Sequence, residues 1–347
     1  MTNRQVPLGI ANGSISRREV IKGMGAAGLM AVGGNLLAAC APQEPDHIRT
    51  QFLWILNTEF AGFYAAEKQG FYEDEKLTVD LLAGGPGVDT LQIMDSKAAE
   101  IGFHGSGTSF LKAVAAGSKL KVFCSVFQRS PAGLMYLMDN PIATPEDAAG
   151  KRIGLQGGAT SSWNTLMSRY GLDPEKDMEI VSVGWDPSVL ADGTVDGYWC
   201  YATNQPGILR LQGYDVGVLD PWEWGYRTYG NFGVVHEDYL AANKDAVTGY
   251  TRASIKGWEY ANTHIDEMTQ YTLDTYGADY DLDFDQQKDE ATSQIDYMVS
   301  DLTEEKGLFW FDLSVWEEMM DILIEQGELD ERMDASTFTT FEILEGV

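Results

Sequence analysis

The side chains of this 347-residue chain that are grouped for chemistry are suited to holding a ligand rather than transforming one. Nine Trp or Tyr residues fall in the 45 positions from Trp185 to Tyr229: Trp185, Tyr198, Trp199, Tyr201, Tyr214, Trp222, Trp224, Tyr226 and Tyr229. A core would favour Phe and aliphatic residues, whereas rings with polar tips suit a flat heterocycle that is sandwiched and hydrogen-bonded at its edge. Strand alternation sends about half of such rings into a core regardless. Trp185, Tyr201, Trp222 and Trp224 are the expected contacts in this stretch.

Two glycine-containing turns add polar groups. His104-Gly105-Ser106-Gly107 follows an apolar run and precedes a helical one, which aims backbone N–H groups and a hydroxyl at whatever lies beyond the strand end. His104 and Ser106 are therefore candidates, although a histidine there also serves as a hydrogen-bonded structural group. Gln156-Gly157-Gly158-Ala159-Thr160-Ser161-Ser162-Trp163 repeats the arrangement and makes Trp163 a candidate. It lacks the Gly-Lys-Ser/Thr ending of a P-loop. Gln128, at the end of another strand-like run, completes the polar set. Oxyanions such as sulfonate or nitrate want fixed positive charge, and Arg129 is the main basic residue near these strand ends, which favours a neutral or weakly charged ligand. The four histidines show no metal spacing, and Cys124 and Cys200 sit in apolar runs as two buried free thiols. No metal, cofactor or catalytic group is expected.

The elements that carry these residues alternate. Strand-like segments Gln51–Leu56, Lys76–Leu82, Glu100–Phe103 and Lys119–Gln128 are interleaved with helical segments Glu59–Glu67, Asp89–Ala99 and Ser109–Ala116. A second series follows: Leu134–Met138, a capped turn at Thr144-Pro145-Glu146-Asp147, Arg152–Gln156, Ser161–Tyr170, Met178–Val183, Val195–Tyr201, Pro206–Leu211 and Asp215–Leu219. Beyond about Gly233 the pattern is helical only, through Gln326. This β-α-β order gives a mostly parallel sheet covered on both faces. Two such units with crossovers near 129–134 and 220–236 make an α/β protein of two lobes, with the ligand site in the cleft beyond the strand ends.

Four ordered blocks carry a resemblance: Trp54-Ile55-Leu56-Asn57-Thr58-Glu59-Phe60-Ala61-Gly62-Phe63-Tyr64 with its continuation to Tyr72, then Gly150-Lys151-Arg152-Ile153-Gly154, then Gly197-Tyr198 to Thr203-Asn204-Gln205-Pro206, then Arg252–Ala261. They resemble the extracytoplasmic substrate-binding proteins of ABC importers, in the branch that binds thiamine-pyrimidine precursors and riboflavin and, more distantly, sulfonates, taurine and nitrate. The resemblance implies a two-lobed type II periplasmic binding protein fold, with lobe I at 50–131 and 237–347, lobe II at 132–236, and the helical C-terminal region on lobe I. It also places Trp54, Asn57, Phe60 and Asn204 at the ligand, while an Asn at a helix start is equally a cap. Two residues depart from the branch. Lys76 stands where glycine is commoner, and Gln205 where glutamate is expected, so no single relative's ligand transfers directly. Aliphatic sulfonate, taurine or nitrate binding is the rival within the class. A pyrimidine-synthase-like enzyme of the same fold is the rival outside it, but the cysteine-rich motif of those enzymes is missing, and a sensory or structural lipoprotein is a third class.

The N-terminus supplies an address. Ser16-Arg17-Arg18-Glu19-Val20-Ile21-Lys22 has the twin-arginine pattern, seventeen uncharged residues (Gly23–Ala39) follow, and Leu37-Ala38-Ala39-Cys40 reads as a lipobox. Residues 1–39 are expected to be a removed signal peptide, Cys40 a lipidation site holding the chain to a membrane, and 40–49 a tether. Removal takes four basic residues and one acidic residue, leaving 20 against 52 and a net charge of −32. That excludes nucleic acid as a partner. The expected partners are a small molecule, a permease with its cytoplasmic ATPase, and the membrane through Cys40, with the protein itself a monomer.

Overall fold

The computed structural model describes residues 46–157 and 159–347. The signal segment, Cys40, the first part of the tether and Gly158 lie outside the described residues. Asp46–Arg49, expected in the tether, instead begin the first strand.

Ten strands occur among the described residues: β1 (Asp46–Gln51), β2 (Leu77–Leu82), β3 (Ile101–His104), β4 (Leu120–Ser125), β5 (Ala132–Leu137), β6 (Arg152–Leu155), β7 (Glu179–Ser182), β8 (Gly197–Tyr201), β9 (Val216–Leu219) and β10 (Phe232–His236). They form two five-stranded sheets ordered β2-β1-β3-β10-β4 and β7-β6-β8-β5-β9. In the first, β1 pairs in parallel with β2 and β3, while β10 runs antiparallel to β3 and β4. The second repeats the plan, with β6 parallel to β7 and β8, and β5 antiparallel to β8 and β9. The antiparallel strand of each sheet is the one that enters directly from the other sheet. Such a strand needs no covering helix, because it arrives by a crossing rather than by a β-α-β return.

The two crossings, 126–131 and 220–231, are hydrogen-bonded to each other through Val126 N to Asn231 O (3.1 Å) and Ser130 N to Thr228 O (2.9 Å). The expected second crossing ran to 236, in a region read as helical. Residues 232–236 are in fact β10, a member of the first sheet whose five residues are all buried. A strand buried on both faces shows no alternation, which is why its short apolar run carries no period-2 signal.

The helices after β10 cover the first sheet and also reach the second. Gln326 Nε2 donates to Thr165 O (2.7 Å), and Gln286 Nε2 to Asn204 O (3.4 Å). Residues 338–340 extend the first sheet along β4, where Val122 N donates to Phe338 O and Thr340 N to Val122 O. Lys76 adopts φ 59°, a left-handed conformation that glycine adopts without penalty. This is the physical reason glycine suits that position.

The helix Lys244–Thr263 lies so close to the helix Ala61–Lys68 that a Cβ on Gly257 would stand 2.1 Å from Gly62 O. Trp258 is fully buried there, edge-on to Phe63 at 5.9 Å, and occupies the space a side chain at position 62 would need. Trp258→Ala should lower unfolding free energy by about 3–5 kcal/mol in a denaturant titration, the usual cost of deleting a large buried ring. A loss below about 1 kcal/mol would show that this contact does not anchor the helix.

Candidate ligand-binding site

A cavity of about 890 Å³, part of it open to solvent, lies where the strand ends of the two sheets face each other. The first sheet supplies Leu53 and Trp54 after β1, Gly85–Val88 after β2, and His104, Gly105 and Ser106 at the end of β3. The second supplies Gln156 and Gly157 after β6, Trp199 to Tyr201 on β8, and Asn204 and Gln205 beyond it. The loop after β2 is tied to the turn after β1 by Gly84 N to Trp54 O (2.8 Å). Gly84 is required by proximity, since a Cβ there would fall 2.3 Å from Phe52 O.

The two sheets touch around the cavity. Ser106 Oγ and Ser162 Oγ are 3.0 Å apart. A Cβ on Gly105 would lie 2.5 Å from the Tyr201 hydroxyl, and one on Gly157 would lie 3.3 Å from Gly87 N. The opposing walls therefore meet at these three points, and small residues permit it.

No lysine or arginine lines the cavity among the described residues. Arg129, the expected basic candidate, instead pairs with Asp220 at 3.2 Å and lies over the Tyr297 ring at 4.4 Å. His104 donates or accepts at Ser109 Oγ (2.9 Å), and burial depresses its pKa to about 4, so its imidazole is neutral at ordinary pH. Gln156 Nε2 donates to the Tyr198 hydroxyl (2.7 Å) and Gln205 Oε1 accepts from Tyr201 N (3.0 Å). Two polar atoms at the cavity remain without partners, Glu59 Oε1 and the Tyr201 hydroxyl.

Beneath the cavity floor stands a second buried carboxyl. Glu290, on the helix Phe284–Ser293, accepts from Asn57 Nδ2 at both oxygens (3.0 and 3.1 Å), from Gln287 Nε2 (2.9 Å) and from Asn204 Nδ2 (2.6 Å). Asn57 follows the first strand of one sheet and Asn204 the third-placed strand of the other, so one carboxyl group ties both. Burial raises its pKa to about 7 against the opposing pull of those donors. Burial, with Glu290 nearby, also holds the Glu59 carboxyl well above the usual carboxylate range.

Of the twelve sequence candidates, Trp54, His104, Ser106, Tyr201 and Asn204 line the cavity. The other seven do not. Asn57 faces Glu290 and caps the 3-10 turn Thr58–Phe60 by accepting from Glu59 N (3.2 Å). Phe60 stacks on Phe52 at 4.1 Å in the core. Gln128 is fixed by Trp310 O (2.8 Å) and Ser300 Oγ (3.0 Å). Trp163 sits one layer behind, edge-on to Trp199 at 5.8 Å and donating to Met178 sulfur. Trp185 is on the surface, 40% exposed. Trp222 borders a small side recess with Pro221 and Tyr226, and Trp224 packs against Tyr170. The notable omission is Glu59, which reads in sequence as the ordinary acidic residue of a first helical turn. Trp199 was among the clustered aromatics, and its spacing of two from Tyr201 on β8 puts both on one face. Cys200 and Cys124 are free and buried, and no group of three metal-ligating side chains occurs among the described residues.

The family description "NMT1/THI5 like" matches residues 57–268. The chain belongs to the NMT1/THI5-like family. It is 26% identical over 323 residues to the riboflavin-binding protein RibY of Chloroflexus aurantiacus, covering 89% of this chain and 90% of that protein. It is 24% identical over 228 residues to the formylaminopyrimidine-binding protein of Halalkalibacterium halodurans, covering 63% and 68%. Among solved structures it is similar to the periplasmic aliphatic sulphonate binding protein SsuA from Escherichia coli, with a TM-score of 0.59, 17% identity and coverage of 85% and 92%. The fold is thus that of the periplasmic binding proteins.

A raised pKa in the folded state means that the native protein binds more protons than the unfolded chain between about pH 4.5 and 7. The contribution of Glu290 to stability is therefore fully present below 4.5 and lost as pH rises through 7, by about 3 kcal/mol at about 1.4 kcal/mol per pH unit. The unfolding free energy of the protein minus that of Glu290→Gln should fall by roughly that amount between pH 4.5 and 8. A flat or rising difference would mean that Glu290 is held ionised.

Proposed function

We propose that this protein is the lipid-anchored substrate-binding component of an ABC importer, and that it captures a small, uncharged or weakly charged aromatic heterocycle of the pyrimidine or flavin kind. The observation that carries the reading is the cavity wall: Trp54, Trp199 and Tyr201 contribute aromatic rings, polar groups stand beside them, and no lysine or arginine is among the lining residues described. A heterocycle gains from burial against rings and from a few directed hydrogen bonds. The two relatives described above carry names of heterocycle binders, in agreement.

The two sheets with their helices act as lobes that open and close about the paired crossings. Ligand binding favours the closed state through contacts to both lobes, and docking on the permease favours opening, so capture and release are one hinge equilibrium. A lipid on Cys40 keeps the capture device near its permease and raises their local concentration. The protein works as an extracytoplasmic monomer and carries out no covalent chemistry. Sulfonate, taurine or nitrate binding is the weaker reading, because an oxyanion in this cavity would meet a buried carboxyl and, among the described residues, no lysine or arginine.

Calorimetry against riboflavin, an aminomethylpyrimidine, taurine, an alkanesulfonate and nitrate tests the proposal. At least one heterocycle should bind with Kd at or below about 1 μM, roughly −8 kcal/mol, and the anions should not bind measurably. Tight binding of only the anions would overturn it.

A further inference from the structure

Glu59 is 3% exposed, lines the cavity, and has one carboxyl oxygen, Oε1, with no hydrogen-bond partner. Its position is fixed by its neighbours. It sits in the 3-10 turn Thr58–Phe60, whose start is held by Asn57 Oδ1 and whose Thr58 N–H and hydroxyl are both taken by Gln287. The amide donors around it turn elsewhere: Asn57 gives both its amide hydrogens to Glu290, Gln287 divides its own between Glu290 and Gln286, and Asn204 donates to Glu290. Among the described residues no lysine or arginine lines the cavity to neutralise it, and the carboxyl of Glu290 opposes its ionisation. The other orphan, the Tyr201 hydroxyl, lines the same cavity. A buried carboxyl left in this state is costly unless a ligand completes it.

Resting on the heterocycle reading above, we propose that Glu59 is the specificity-determining group of the site: as an uncharged carboxylic acid it pairs with a ring edge on which a hydrogen-bond acceptor stands beside an N–H donor. A carboxylic acid presents an O–H and a C=O side by side, so it meets such an edge with two parallel hydrogen bonds and no net charge. An aminopyrimidine (ring nitrogen beside an amine) and a lactam or imide (carbonyl beside N–H) both have that edge. Rings that lack the N–H, and anions, do not. Burial together with the neighbouring Glu290 holds the proton on Glu59, which supports the donor role. The Tyr201 hydroxyl is placed to supply a further hydrogen bond to the same ligand.

The test measures affinity by calorimetry for two probe pairs: riboflavin against 3-methylriboflavin, and 4-amino-5-hydroxymethyl-2-methylpyrimidine against its 4-dimethylamino form. The native protein, Glu59→Gln and Glu59→Met are compared, with thermal melting to confirm that each is folded. The parent of at least one pair should bind the native protein, and its methylated partner about 30-fold or more weaker, the cost of leaving a buried acceptor unpaired. Glu59→Gln, which keeps a donor beside an acceptor, should stay within about five-fold, and Glu59→Met should lose about 30-fold or more at unchanged melting temperature. Equal, large losses in both variants would show that the site reads the carboxylate's charge and takes a cation, which overturns the inference. So would parent binding that neither methylation nor Glu59→Met affects, and that result leaves the heterocycle reading standing. Failure of both parents to bind the native protein would remove that reading, and this inference with it.

Discussion

The buried carboxyl of Glu290 is the constraint on which the cleft depends. A carboxylate in the interior normally needs a cation or a full set of donors, and Glu290 has the second without the first. Four hydrogen bonds reach it, from Asn57 in the turn beyond β1, from Asn204 just beyond β8 of the other sheet, and from Gln287 on its own helix. Because the donors come from both sheets, the penalty for burying the group is met only when the sheets stand as they do. Neutral amide donors, unlike an ion pair, leave the carboxyl able to take up a proton near neutral pH. The joint is thus strong in one arrangement and not irreversible.

The same lack of cations among the described residues sets the character of the cavity. Glu290 is turned away from the ligand space and saturated, while Glu59 is turned toward it and left incomplete. Arg129, the one basic residue near the strand ends that sequence singled out, is consumed by Asp220 and Tyr297 at the crossing. What remains is ring surface, a neutral histidine and amide or hydroxyl tips. Glycines at 105 and 157 bring the opposing walls within contact distance, so closure depends on the lack of side chains as much as on their presence.

Most of the architecture was legible in the amino-acid order, because β-α-β alternation and turn chemistry are local signals. The capped turn at Thr144, for example, forms with the Asp147 side chain accepting from Thr144 N as its spacing implied. What local reading missed was non-local. β10 is a short apolar run buried by two neighbours far away in sequence, and it gave no period of its own. At the site, residue type identified polar turns and aromatic density but not direction. Asn57 and Asn204 both donate to Glu290, some 230 and 86 positions away along the chain, but only Asn204 also lines the cavity. Glu59 lies between Asn57 and Phe60, and nothing in a sequence separates an acidic first-turn residue facing water from one facing a cavity.

The ligand proposed for the cleft between the sheets is an uncharged, flat heterocycle held by aromatic rings and neutral hydrogen bonds. The most direct measurement is mass spectrometry of the small molecules released when the protein, purified from its own cells without added ligand, is denatured. The expected result is a stoichiometric aromatic heterocycle that is neutral at pH 7 and has an N–H beside a ring nitrogen or carbonyl. Stoichiometric release of a sulfonate, nitrate or other permanent anion would contradict it.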